Sequence, residues 1–307
     1  MVELKTPVLF LIFNRPDVTA IVFEAIRKAQ PARLYVAADG PRANKEGEKE
    51  KCEATRAIIE KVDWNCEVKK LFREKNLGCK VAVSSAIDWF FENEEEGIIL
   101  EDDCLPDPSF FTFCSTLLEH YRNNEKVMHI GGVNFQDGRK IGDGNYHFSL
   151  YNFIWGWATW RRAWKYYDVT MSEFPRFLSE KGIEKLFPNQ AMQRSWLKSF
   201  EMVYKGERDT WDAQWSFAIW THQSCCISPN VNLVENIGFG RSDATHTKIK
   251  LDNISNQKSV SMDKIIHPSV IQVTVNADEF SYKKFSPNYF IKAKNLALSL
   301  LQRILNR

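Results

Sequence analysis

The sequence lacks a Cys-x-x-Cys pair, an apolar run of membrane-spanning length and any strong excess of charge. Its seven cysteines (52, 66, 79, 104, 114, 225 and 226) form an odd set without the spacing of a zinc knuckle or redox motif. A disulfide framework is not expected at this size, so the thiols read as mostly buried cytosolic cysteines. No apolar stretch approaches the roughly 20 residues that cross a bilayer. The run at residues 8–13 superficially mimics a secretory leader, but it is too short, and Asn14-Arg15-Pro16 stands where small cleavage-site residues belong. It reads as a buried first strand. No internal repeat or low-complexity stretch is visible. Forty-one Lys and Arg against 39 Asp and Glu leave +2, too little for a field that draws nucleic acid. The charge is uneven, however: residues 281–307 hold six basic residues and no acid, which leaves −4 for the rest.

What is present is the composition of a folded chain, with 44% hydrophobic and 26% charged residues, and this excludes disorder and fibres. At 307 residues, one large α/β domain with an appended segment is expected. Residues 8–13 are continuously apolar, as in a strand covered on both faces. Pro16 opens a helix whose Val18, Ile21, Val22, Ala25, Ile26 and Ala29 recur with helical period. Residues 33–38 form a second strand, ended by Asp39-Gly40-Pro41, and a charged helix spans 48–62. A strand at 66–72, a helix at 80–92 with Val81, Ala86, Trp89 and Phe90 inward, and a short strand at 97–100 follow. Such βα repetition predicts a doubly wound, mostly parallel sheet flanked by helices, with ligands beyond the carboxyl ends of the strands. Those ends carry Asn14-Arg15, Asp39-Gly40, residues 73–78 and Glu101-Asp102-Asp103.

The second half is less regular. It reads as a helix at 108–121, a strand at 127–131, a polar hairpin or loop at 132–145, and helices at 192–204 and from about 209 to 223. A dense aromatic block at 151–160 includes Trp155-Gly156-Trp157 and is followed by Arg161 and Arg162. Residues 238–247 form a glycine-rich loop with Ser242, Asp243 and His246.

Each constellation admits a plain and a chemical reading. Three adjacent acids after an apolar strand repel one another. They are either a solvated loop or hard oxygen ligands suited to Mn²⁺ or Mg²⁺ held together with substrate phosphates. The tryptophans are either core or a platform for sugar rings. Asp212, between Trp211 and Trp215, is either a helix cap or first-turn acid, or a carboxylate base in an apolar surround. His246 is either a surface histidine or a diphosphate ligand.

Taken in order, strand–Asn-Arg, strand–Asp-Gly, strand–Glu-Asp-Asp with Pro106-Asp107-Pro108-Ser109-Phe110-Phe111, an aromatic Gly-Trp block, Trp211-Asp212 and a Gly-rich loop resemble the GT-A-fold glycosyltransferases. The pattern is most similar to N-acetylglucosaminyltransferase I and to bacterial family-2-like enzymes, and it runs from Pro7 to His246. The resemblance implies a GT-A-type α/β fold over residues 1–250, with a nucleotide-binding half at about 1–131 and an acceptor and catalytic half at 132–250. Residues 251–307 would be a C-terminal extension with a basic amphipathic helix.

The resemblance also implies roles. Arg15 would contact the nucleotide or its phosphates, Asp39 the base, and Glu101 and Asp102 the donor sugar and ribose. Asp103 would bind Mn²⁺ (or Mg²⁺). Trp211, Ser242 and His246 would join the donor site. Trp155, Gly156 and Trp157 would wall the acceptor and donor, and Asp212 would be the catalytic base. The segment Trp211-Asp212-Ala213-Gln214-Trp215 has one acid where the animal enzymes tend to have two. The implied activity is an inverting transfer from a nucleotide sugar, typically UDP-linked, to a glycan or glycolipid hydroxyl. The alternatives are a sugar nucleotidyltransferase or a non-catalytic membrane-active or carbohydrate-binding protein. A cytoplasmic location and no nucleic-acid partner are expected, and the terminal helix either docks on the enzyme body or attaches peripherally to the inner face of the membrane.

Overall fold

The computed structural model of the chain describes residues 4–241 and 257–285. In the first hundred residues β1 (Val8–Ile12), α1 (Pro16–Ala29), β2 (Arg33–Ala38), α2 (Glu48–Ala57), β3 (Glu67–Phe72), α3 (Gly78–Asn93) and β4 (Glu96–Glu101) alternate. These four strands pair in parallel in the order β3-β2-β1-β4. Pro16 starts α1 where its missing N–H is no loss, and Gln30 ends it with a left-handed φ of 48°. The helical stripe is displaced from the sequence expectation. Ile21 is 50% exposed, whereas Val18, Val22, Phe23 and Ile26 are buried. Phe23 therefore takes the core place assigned to Ile21. Likewise Val81 is 44% exposed, and α3 packs through Ala86, Ile87, Phe90 and Phe91.

The remaining elements extend the sheet. They are β5 (Cys104–Pro106), α4 (Pro108–Tyr121), β6 (Val127–Gly131), β7 (Tyr146–Ser149), β8 (Trp157–Trp160), α5 (Arg161–Trp164), α6 (Phe174–Ser179), α7 (Gly182–Leu186), α8 (Gln190–Tyr204), α9 (Asp212–Thr221), β9 (Cys225–Pro229), β10 (Val234–Asn236) and α10 (Val275–Phe285). β8 inserts antiparallel between β4 and β6, β9 continues parallel to β6, and β7 closes the edge. The result is an eight-stranded, mostly parallel sheet. On one face Val8 and Phe10 meet α1 and α4, and on the other Leu9 and Leu11 meet α3 and the helices of the second half. This is the doubly wound α/β architecture expected from the strand pattern.

The segment at 257–285 is part of this body, not a free extension. Val260 N–H donates to Asn232 O at 2.7 Å, Asn145 N–H to Ile266 O at 3.1 Å and Thr274 N–H to Phe148 O at 2.9 Å. In α10, Ala277, Asp278, Ser281 and Lys284 are buried. The expected boundary at residue 250 does not separate this segment, because it covers the otherwise open β7 edge. The basic helix expected further on, like the rest of residues 286–307, lies outside the described residues. Among the described residues no helix is long and apolar enough to cross a membrane.

Gly97 shows how closely the layers approach. A Cβ there would press into the Phe90 ring of α3 and stand 2.9 Å from the Pro7 carbonyl. Gly97→Ala should lower stability by about 1–3 kcal/mol, the usual cost of overpacking, measured by urea denaturation. An unchanged midpoint would show that α3 can move away from β4.

Candidate active site

The carboxyl ends of β1, β2 and β4 open into a cavity of ≈ 970 Å³. Arg15, Asp39, Glu101, Asp102, Asp103, Trp155, Trp211 and Asp212 all border it, so the structure brings together most of the residues singled out from sequence. Parallel pairing of β1 with β4 sets Leu11 opposite Glu101, which places the acids beside Asn14-Arg15.

The acids are held by one guanidinium. Arg15 Nη1 donates to Asp103 Oδ2 at 2.9 Å, its Nε to Asp102 Oδ2 at 3.3 Å, and its Nη2 to Asp102 Oδ1. Asp102 and Asp103 are 3% and 7% exposed. Burial, with repulsion from Asp103, pushes the Asp102 carboxyl up to about 6 against the pull of Arg15. Glu101 forms no ion pair among the described residues. Burial first, and then its two acidic neighbours, pushes its carboxyl up to about 8. Three carboxyl groups thus face one cation in a desolvated corner, and Glu101 is largely protonated near neutral pH.

Asp39 borders the cavity, yet its oxygens already accept from the N–H groups of Gly40, Leu77 and Gly78 and from Asn76 Nδ2, at 2.9–3.1 Å. Four donors occupy about the four lone-pair positions of a carboxylate. Asp39 therefore shapes the turn that starts α3. Nearby, buried Glu48 accepts from Asn14 Nδ2 at 2.9 Å and from Arg42 N–H at 2.8 Å. Arg42, pinned this way, and Arg73 add cations to the lining. Sequence reasoning passed over Glu48 and Arg42, which look like ordinary members of a charged stretch.

Gly238, within the glycine-rich loop, takes a place against the acids that the sequence pattern does not specify. The short antiparallel pair of β5 and β10 carries the chain back to the acids, and Ile237 N–H donates to Asp103 O at 2.8 Å. A Cβ on Gly238 would overlap the Asp103 carboxylate, with Cγ at 2.9 Å. The glycine-rich pattern was its signal. Ser242 and His246, expected in the same loop, lie outside the described residues.

Asp212 is the first residue of α9 and is half-buried, with Thr210 Oγ1 donating to its Oδ1. The first-turn position and the cavity position are both realised. Trp211 borders the cavity while its ring stacks on Trp157, centroids 5.5 Å apart. Trp157 itself is 0% exposed and cannot be a wall of the cavity. It lies in β8, whose residues are all buried. Gly156 does not border the cavity either. Its φ is 65°, and a Cβ would lie 2.8 Å from Val234 Cγ2, so close packing explains it. Of the three expected wall residues, Trp155 alone reaches the cavity, together with Phe135, Phe153, Phe239 and Phe285.

A test of the metal expectation follows from this geometry. Among the described residues no three His, Cys, Asp or Glu side chains converge as a ready cage. Hard divalent ions nevertheless bind through one or two carboxylates plus substrate phosphates. A corner with more acid than cation, open to a cavity, is compatible with that mode.

No protein-family model matches the sequence, and no curated protein matches it. Among solved structures, S. aureus TarS 1-349 is 14% identical with a TM-score of 0.36, covering 54% of this chain and 49% of that one. HddC from Yersinia pseudotuberculosis is 10% identical with a TM-score of 0.33, covering 56% and 86%. A UDP-glucose pyrophosphorylase complexed with UDP-glucose is 11% identical with a TM-score of 0.32, covering 53% and 78%. The chain spans about half the length of the TarS structure.

Behind the cavity, His129 of β6 ties α9 to the aromatic segment at Phe153. Trp215 Nε1 donates to His129 Nδ1 at 3.2 Å, which puts the proton on Nε2, where it is given to Phe153 O at 3.1 Å. Burial holds this imidazole neutral and pushes its pKa down to about 3. A histidine with a depressed folded pKa contributes stability that is complete above its unfolded value of about 6.5 and is lost as pH falls toward about 3. His129→Gln should therefore be less stable than the parent at pH 7, with the gap narrowing as pH drops from 6.5 to 4 in urea titrations. A gap that stays constant would mean that the imidazole is not the buried neutral group.

Proposed function

We propose that the chain is an inverting, metal-dependent glycosyltransferase. It moves a sugar from a nucleotide-sugar donor, a UDP-sugar in the first instance, to a hydroxyl of a glycan or glycolipid. The observation that carries this reading is the convergence of Arg15, the acids at 101–103 and Asp212 on one cavity beyond the parallel strands. The cavity has two characters. Its β1–β2 side is polar and rich in donors, with Arg42, Arg73, Asn14 and Asn76, which suits an anionic nucleoside diphosphate. Its other side is aromatic, which suits the apolar faces of sugar rings.

Asp103 would hold a divalent cation together with donor phosphates, and Glu101 and Asp102 would reach the donor sugar and ribose. When bound, such an ion offsets the charge that grows on the leaving diphosphate. The chain's own contribution is positional. Arg15 keeps Asp102 and Asp103 oriented, while Arg42 and Arg73 face the same developing charge. Asp212 would take the proton from the acceptor hydroxyl as it attacks the anomeric carbon. Attack opposite the leaving group inverts that carbon. The packed aromatic side keeps water from competing for the donor.

Asp212→Asn should keep donor affinity and lower turnover by about 10²–10⁴-fold, the usual consequence of losing a general base. Proton NMR of the wild-type product should show an inverted anomeric centre. Retention at that carbon, or a variant in which donor affinity collapses while turnover of bound donor persists, would remove Asp212 from the base role. Asp103→Ala should abolish the response of turnover to added Mn²⁺, and a variant with normal metal-stimulated turnover would remove Asp103 from the metal role.

A further inference from the structure

α10 buries an acid that packing alone does not require. Asp278 is 2% exposed, and no ion pair to it occurs among the described residues. Burial pushes its carboxyl up to about 7, against the pull of its two hydrogen-bond donors. An uncompensated carboxylate is a costly way to fill space. What it holds is specific. Its Oδ1 accepts from Ser149 Oγ at 2.5 Å and its Oδ2 from Leu150 N–H at 2.9 Å, while Ser149 Oγ accepts from Tyr151 N–H at 2.9 Å.

The strand end gripped in this way leads directly to the candidate base. Tyr151 and Asn152 border the cavity. Asn152 Nδ2 donates to Asp212 O at 3.2 Å, and Ser216 Oγ, one turn into α9, donates to Asn152 Oδ1. A continuous polar path therefore runs from α10 through residues 149–152 to the start of α9. The same helix brings Phe285 to 4.6 Å from Phe135, centroid to centroid, on the aromatic side of the cavity.

We infer that Asp278 is a positioning residue: it fixes residues 149–152 and, through Asn152, sets where α9 presents Asp212. The inference deepens the glycosyltransferase reading and rests on it for the role of Asp212, but the mechanical coupling can be read without any substrate.

Amide hydrogen exchange on the full chain is the direct test. Asp278→Ala should accelerate exchange about tenfold at Leu150, Tyr151 and the first hydrogen-bonded amides of α9, and leave β1 and α1 unchanged. Asp278→Asn keeps an acceptor for Leu150 N–H and should restore most of the protection. Gln136→Ala removes a different α10 contact, to Ala277 O and Ser281 Oγ. It should lower the melting temperature without altering exchange in α9. Where a nucleotide sugar is turned over, Asp278→Ala should lower kcat with donor KM unchanged, and Gln136→Ala should leave kcat per folded molecule unchanged. Acceleration confined to α10, or the same α9 response to both variants, would overturn the inference. If Asp278→Ala does not fold, Ser149→Ala cuts the same path and must give the same α9 response. If the wild type turns over no nucleotide sugar, the glycosyltransferase reading fails while the exchange pattern still decides the coupling.

Discussion

A single guanidinium, Arg15, holds together the most strained electrostatic feature of this molecule. Glu101, Asp102 and Asp103 follow one another at the end of a strand that is buried on both faces, and water cannot disperse their charge there. Without a cation at the end of the adjacent strand, burial of the pair Asp102 and Asp103 would cost several kcal/mol. The parallel register of β1 and β4 supplies that cation, and the hydrogen bonds from Arg15 to both aspartates fix their orientation. One guanidinium does not balance Asp102 and Asp103 together, even with Glu101 largely protonated near neutral pH. The remaining negative charge borders the cavity, where a bound cation would offset it.

The other parts of the site are arranged around that corner by packing. The β5–β10 pair returns the chain to Asp103 at Gly238, where only a glycine leaves room for the carboxylate. On the opposite face of the sheet, Trp157, Trp211 and Trp215 form a ring cluster that seats α9. His129 ties that cluster to Phe153. The site is therefore built on sheet, helix starts and buried rings, elements that hold side chains more firmly than loops do.

Much of this was legible in the sequence because buried parallel strands are written as continuous apolar runs. The strands at 33–38 and 127–131 and the helix at 108–121 fall where the pattern puts them. The strand-end rule then pointed to Arg15, Asp39 and the acids without any knowledge of the fold. What was not legible depends on contacts between distant segments. The aromatic block gave no sign that Trp157 lies in a central antiparallel strand, since a run rich in tryptophan reads alike for core and wall. Asp39 looked like a free ligand because three of its four donors come from residues 76–78, far along the chain. The link from Asp278 to residues 149 and 150 spans well over a hundred positions, and no local pattern announces it.

The central claim is that the acid corner and the donor-rich side of the cavity bind a nucleoside diphosphate sugar with a divalent ion. A thermal-shift panel of nucleotide sugars, with and without Mn²⁺, tests it most directly. A ligand present at 100 times its dissociation constant adds about 2.7 kcal/mol to stability, a clear rise in melting temperature. Such a rise is expected with a uridine diphosphate sugar, and only in the presence of Mn²⁺ or Mg²⁺. A panel in which no nucleotide sugar gives a metal-dependent shift would contradict it.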